Sequence, residues 1–292
     1  MSLRGVLAYS GVAAFCGLLL LGMTVGAREL GAGTAAGVLT LAAALGLFAF
    51  ARFAGRRLVW RLDWAKVIAG AVLAGAALAG TMLAMARIGV ALTAFVLSTI
   101  PVFACLGAQM RGRARLTGLT ALGLGLGILG LFLVAAAPIG DPSWRFIAGV
   151  LYAVTTAVGV GVSGRWLTSR VEHDRAVEHG VASLLVAAAG LFCLAPFTPP
   201  AGSPWWTIPL AGLGAVCGLI LLVAMSEVAG SLPRVATATL PGVGTVLAAL
   251  GGVLVLGEQV SPVEWLGAVL ILAGMALLSE PLLSLLPSSG RR

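Results

Sequence analysis

The sequence predicts an all-α polytopic membrane protein, with ten transmembrane helices arranged as two inverted five-helix repeats. Three observations carry this expectation. First, 60% of the 292 residues are hydrophobic and 10% are charged, against about 25% charged in a soluble domain. With a mean hydropathy of +1.09, no soluble fold of this length could supply the polar surface it needs. Second, the charges divide the chain into apolar runs long enough to cross a bilayer. Third, short motifs recur in the same order in both halves. The composition excludes a soluble enzyme, a nucleic-acid binder and a disordered chain.

A spanning helix needs about 20 residues, because the hydrocarbon core is roughly 30 Å thick and each residue rises about 1.5 Å. Residues 5–27 form the first run and are too long for a cleaved signal peptide. Residues 30–51, 67–86, 88–110 and 116–140 are the next four, and 146–164 the sixth. The run 180–226 has 47 residues, too many for one helix. Its centre, Pro196-Phe-Thr-Pro-Pro-Ala-Gly-Ser-Pro204, stops any helix, so it holds spans seven and eight. Residues 235–257 and 265–286 are spans nine and ten. An outer-membrane barrel is excluded, since its strands would alternate polar and apolar residues.

Ten spans place both termini on one face. With those termini cytoplasmic, that face collects Arg4, Arg52, Arg56, Arg57, Arg61, Lys66, Arg111, Arg113, Arg115, Arg165, Arg170, Arg175, Arg234, Arg291 and Arg292, which is 15 of the 18 basic residues. The opposite face keeps Arg28, Arg87 and Arg145. The net charge of +8 is therefore read as the positive-inside bias of a membrane protein. Trp60, Trp64, Trp144, Trp205, Trp206 and Trp265 lie near span ends as interfacial anchors. Cys16, Cys105, Cys193 and Cys217 sit in apolar stretches without CxxC spacing, as small buried residues rather than disulfides or metal ligands.

The halves echo each other. Ala84-Met85 through Thr99 and Pro101 matches Ala224-Met225 through Thr239 and Pro241 at an offset of 140. Gly5-Val6-Leu7 matches Gly149-Val150-Leu151 at 144, and Leu106-Gly107-Ala108-Gln109 echoes Leu256-Gly257-Glu258-Gln259 at 150. Five helices per half force the second half into the membrane upside down, the plan of many secondary transporters.

The stretch from Leu256-Gly257-Glu258-Gln259 through Trp265-Leu266-Gly267 to Ala273-Gly274 resembles the end of an EamA-type repeat of the drug/metabolite transporter superfamily. The segment ending Thr239-Leu240-Pro241-Gly242-Val243 fits the same pattern. The first half departs from it, with Ala108 where the glutamate usually falls. The resemblance implies repeats at 1–140 and 141–292 forming one transport domain. It implies that spans 1, 3, 4, 6, 8 and 9 surround a central cavity while the other four pack outside. It also implies an exporter of the bacterial inner membrane, similar to exporters of amino acids, aromatic ones foremost.

The candidate substrate-binding residues follow from where polar and adaptable side chains gather. Span three carries Leu78, Met82 and Met85 on one face, with Thr81 beside them. Span four carries Phe95, Ser98 and Thr99, span six Tyr152, Thr155 and Thr156, span eight Met225, and span nine Thr237, Thr239 and Thr245. Tyr9, Ser10 and Phe15 are offered by span one. Pro101 and Pro241 are candidate hinges. The bland alternative is that Ser and Thr bond their own helix carbonyls and Met fills gaps. The chain's acids all fall at span ends or in loops, and His173 and His179 fall in a charged loop at 165–179, read as solvated surface. A charge at the bilayer centre costs about 2.5–3.5 kcal/mol and marks function, so its absence points away from proton coupling and from cationic drugs. It also leaves no catalytic set for an intramembrane enzyme. The expectation is uniport-like flux of a neutral or zwitterionic small molecule, without metal or cofactor. A proton-coupled drug exporter and a non-transporting assembly protein are the alternatives. The partners expected are the bilayer and the substrate. The glycine steps Gly123, Gly125, Gly127 and Gly130 suit close helix contacts, within a monomer or in a homodimer.

Overall fold

The structure, a computed structural model, describes residues 20, 22–53, 62–110, 117–136, 143–168, 176–198 and 234–284. Every element among them is helical. Residues 22–29 form α1. Then follow α2 (Ala32–Phe53), α3 (Trp64–Leu97), α4 (Ile100–Met110), α5 (Gly118–Ala136), α6 (Trp144–Thr168) and α7 (Ala176–Leu194), which closes in a 3-10 turn at Ala195–Phe197. The last two are α8 (Arg234–Leu256) and α9 (Pro262–Ser284). Among the described residues five helices are long and apolar enough to cross a membrane: α2, α3, α5, α6 and α7. The architecture is that of a polytopic membrane protein. The eighth predicted span lies outside the described residues, as do Tyr9, Ser10, Phe15, His173 and Met225.

Local chemistry sets the helix starts. Ser261, Pro262 and Glu264 open α9 as a capping box: the Ser261 amide donates to Glu264 Oε2, and the Glu264 amide donates to Ser261 Oγ at 3.3 Å. Thr117 Oγ1 accepts the Thr120 amide at the start of α5. Pro196 falls in the 3-10 turn that ends α7, where the sequence predicts a stop.

The third and fourth predicted spans, 67–86 and 88–110, run into one another, with the boundary expected at Arg87 falling at Gly89. One helical stretch of 34 residues runs from Trp64 to Leu97, about 50 Å if straight and too long for a roughly 30 Å core. It breaks at Gly89, whose φ of 82° and ψ of 175° lie outside the helical region and are open to glycine alone. Two helical limbs meet at this kink. The predicted span at 88–110 is thus two pieces, Val90–Leu97 and α4, separated by a turn at Ser98 and Thr99 just before Pro101. Pro101 has no amide to continue the ladder, and the helix restarts on the Thr99 carbonyl, which accepts from Val102 at 2.9 Å.

The outer faces are inverted relative to a soluble protein. On α5, Gly123, Gly127 and Gly130 are buried, whereas Leu119, Leu122, Leu129 and Phe132 are exposed. On α9, Gly267 and Gly274 face inward and Leu266 and Val269 outward. Large side chains turned out and small ones turned in is how helices pack in lipid. The two helices are antiparallel and meet glycine on glycine. A Cβ at Gly130 would come 2.5 Å from the Gly267 carbonyl, and one at Gly274 would come 2.6 Å from the Gly123 carbonyl. The helices α2 and α7 pair as well, with Gly33 and Gly37 receiving Leu194 and Phe192. At the centre, α3 packs between two apolar clusters. One joins it to α5, α6, α8 and α9 through Leu92, Phe95, Val134, Ala153, Ala249 and Ile271. The other joins it to α1, α2, α7 and α8 through Met23, Ala36, Met82, Leu191 and Ala248.

Candidate functional site

Between α3 and α6 lies a cavity of about 290 Å³, at the lower edge of the roughly 300–1,000 Å³ of small-molecule sites. One wall is Leu73, Ala76, Ala77, Ala79, Gly80 and Leu83 of α3. The other is Tyr152, Thr155, Thr156, Gly159 and Val160 of α6. The wall is apolar apart from two hydroxyls and a phenol, and no charged residue is among the lining residues described. Gly80 lets the helices close: a side chain there would run into the Thr156 hydroxyl. Near one end the Arg87 guanidinium lies over the Tyr152 ring, 4.9 Å from its centroid, and donates to the Leu83 carbonyl at 3.2 Å.

The predicted site residues divide. Tyr152, Thr155 and Thr156 line the cavity. The stripe of Leu78, Met82 and Met85 turns the other way, into the cluster with Met23 and Leu191, and both methionines are fully buried there. Thr81 is buried as well. Phe95 packs edge-on against Trp265, with ring centroids 5.4 Å apart. Ser98 and Thr99 spend their hydroxyls on the Phe95 and Val96 carbonyls, each at 2.6 Å, at the turn before Pro101. Thr245 is half-buried on α8. Met225 lies outside the described residues, as do the side chains of Thr237, Thr239 and Pro241.

A second polar site was not among the expectations. Glu258 follows Gly257, which ends α8 at φ 66°. Its carboxylate reaches across to the break in α3: Oε1 accepts the Val90 amide and Oε2 the Ala91 amide, both at 2.9 Å. These amides lost their helical acceptors when the chain turned at Gly89, and a carboxylate at a helix start also meets the positive end of the dipole. Oε1 accepts in addition from Arg28 Nη2 of α1, at 2.9 Å. One carboxylate thereby ties the ends of three helices. Glycines clear its path. A Cβ at Gly89 would strike the carboxylate, and one at Gly252 would come 2.8 Å from Oε2. The sequence signal was a glutamate directly after a helix-ending glycine, but the partner lies 168 residues away.

His179 also departs from expectation. It is buried in α7 rather than solvated in a loop, and its Nε2 accepts the Asp63 amide at 3.1 Å. One turn on, Ser183 donates to the Val67 carbonyl at 3.1 Å, so α7 is pinned to the start of α3. The exposed Lys66 ammonium beside Asp63 holds that carboxyl below the usual carboxylate range, chiefly through their side-chain hydrogen bond. Among the described residues no three His, Cys, Asp or Glu side chains converge as a metal site.

Residues 147–280 match the EamA-like transporter family. The match covers α6 to α9 and includes both the cavity wall on α6 and Glu258. It supports the drug/metabolite transporter superfamily and a membrane transporter of small metabolites or drugs. A crystal structure of a protein superposes on 94% of this chain and 97% of its own, with a TM-score of 0.62 at 18% identity, a likeness of fold. No curated protein matches the chain in sequence.

Proposed function

We propose that the chain is a ten-helix transporter of the bacterial inner membrane with cytoplasmic termini. In this reading it exports small neutral or zwitterionic metabolites, aromatic and other apolar amino acids foremost, by alternating access down their gradient. The carrying observation is the cavity between α3 and α6. Its alanine, glycine and leucine wall suits a flat apolar side chain, and Tyr152, Thr155 and Thr156 offer hydrogen bonds to a polar head without a fixed charge.

Two inverted five-helix repeats, 1–140 and 141–292, are part of the proposal, and the α5/α9 seam supports them. Gly123 meets Gly274, and Gly130 meets Gly267. Gly123 and Gly267 are 144 positions apart, and so are Gly130 and Gly274. A twofold axis in the membrane plane makes equivalent antiparallel helices trade partners in this way. The helices α2 and α7 also begin 144 positions apart, at Ala32 and Ala176, as α5 and α9 do at Gly118 and Pro262.

A substrate panel in proteoliposomes tests the reading. Aromatic amino acids should move and compete with one another, and Thr155→Leu, which fills the cavity, should cut flux several-fold in protein of unchanged melting temperature. If amino acids with large apolar side chains neither move nor compete, the substrate class is wrong. A proton-coupled exporter is the second reading. Flux that follows the pH gradient would select it.

A further inference from the structure

Arg28 and the amides of Val90 and Ala91 form a cradle for a carboxylate, and the carboxylate in it is the chain's own. Two kinds of donor converge: a guanidinium and a pair of backbone N–H groups freed by the Gly89 break. The Glu258 side chain keeps 12% of its surface exposed and Arg28 41%, so the cradle is reachable from solvent. The helices it joins are α1, α3 at the start of its second limb, and α8 at its end. Arg87 and Tyr152, at one end of the cavity, lie on the same side of the molecule: Ile88 adjoins the Gly89 break, and the backbone of Gly149, one turn before Tyr152 on α6, packs against Arg87 and Ile88. The pair of Lys66 with Asp63, by contrast, is local to the start of α3.

We propose that Glu258 is a displaceable latch: it holds the helix ends together at the Arg87 end of the cavity, and the carboxylate of a departing substrate opens that end by taking its place. Exchange of one carboxylate for another keeps the guanidinium and both amides on a charged acceptor, whereas simple opening trades these charge-assisted bonds for weaker ones to water. A substrate with a carboxylate therefore opens this end more readily than its carboxamide does. The latch stands on the geometry alone; the displacement rests on the proposed export of amino acids.

The experiment uses the full chain in proteoliposomes, with its four cysteines replaced and Ala76→Cys as a reporter in the cavity wall. A membrane-impermeant maleimide is applied from the Glu258 side. With Glu258 in place labelling is slow, and Glu258→Gln accelerates it by about tenfold, as loss of a charge-assisted hydrogen bond would give. Arg28→Gln, which keeps the helix-capping carboxylate, serves as the second variant and gives a smaller acceleration. In the Glu258 protein, tryptophan accelerates labelling and its carboxamide does not. Labelling that neither variant changes overturns the latch. Labelling that acid and amide accelerate alike, or that neither accelerates, overturns the displacement. Amino-acid flux without acid-dependent opening would sink the displacement and leave export standing; acid-dependent opening without flux would do the reverse.

Discussion

The α5/α9 seam and the Glu258 knot hold helices together by opposite means. The seam removes side chains: Gly123, Gly130, Gly267 and Gly274 bring backbone onto backbone, and the bulky residues of both helices face outward. The knot uses one side chain to satisfy three donors on two other helices. In the glycine seam each of the four glycines lies so close to an opposing carbonyl that a Cβ would come within 3.0 Å of it. A carboxylate in a partly exposed cradle can be replaced by another carboxylate. In a protein that must move, the difference separates a fixed frame from a part built to let go.

Breaking the seam should have the largest effect. Gly130→Leu forces a side chain into the Gly267 backbone, which cannot step aside, and should cost about 3 kcal/mol or more. In detergent this appears as loss of monodisperse protein. The matched control is Gly125→Leu on the same helix. A Cβ there meets nothing within 4 Å, so its melting temperature should stay at the parent value. Equal damage from both would mean that α5 and α9 do not meet in this register.

Breaking the knot comes next. Gly89→Ala places a Cβ on a backbone at φ 82° and against the Glu258 carboxylate. The conformation alone costs on the order of 1–3 kcal/mol for a non-glycine residue. The expected outcome is a lower melting temperature together with altered flux, where the seam variant loses protein and flux in proportion.

The smallest effect belongs to a charge pair with neither burial nor reach. Lys66 keeps the Asp63 carboxyl ionised to lower pH than usual. Its contribution is therefore present above the ordinary carboxylate pKa and is lost as pH falls through the depressed value. Both groups are exposed, so screening leaves little of it. Asp63→Asn should leave thermal stability at neutral pH unchanged and only flatten the acid limb of the stability profile, since the backbone amide that His179 accepts is retained. A large loss at neutral pH would show that charge by itself, not the cradle geometry, matters in this protein.

What the sequence reveals depends on how far each partner lies along the chain. The helix ends at Pro196 and Gly257 and the glycine face of α5 were legible, because each is a local signal. The division between the third and fourth spans was legible from Arg87 and falls two residues on, at Gly89; the carboxylate that caps the break was not, because Glu258 lies far along the chain. The methionine stripe on α3 was legible as a stripe, but periodicity does not say which side a face turns to. Leu78, Met82 and Met85 face the core, while the opposite alanine and glycine face lines the cavity. His179 lies beside charged residues in sequence, yet folding buries it against the start of α3.

The most direct test of the account is the energetics of transport. Purified protein in proteoliposomes, loaded with radiolabelled tryptophan, is assayed with and without an imposed pH gradient. The expected flux follows the tryptophan gradient alone and is unchanged by the pH gradient. Flux that runs against the tryptophan gradient when protons are supplied, or no flux at all from folded protein, would contradict it.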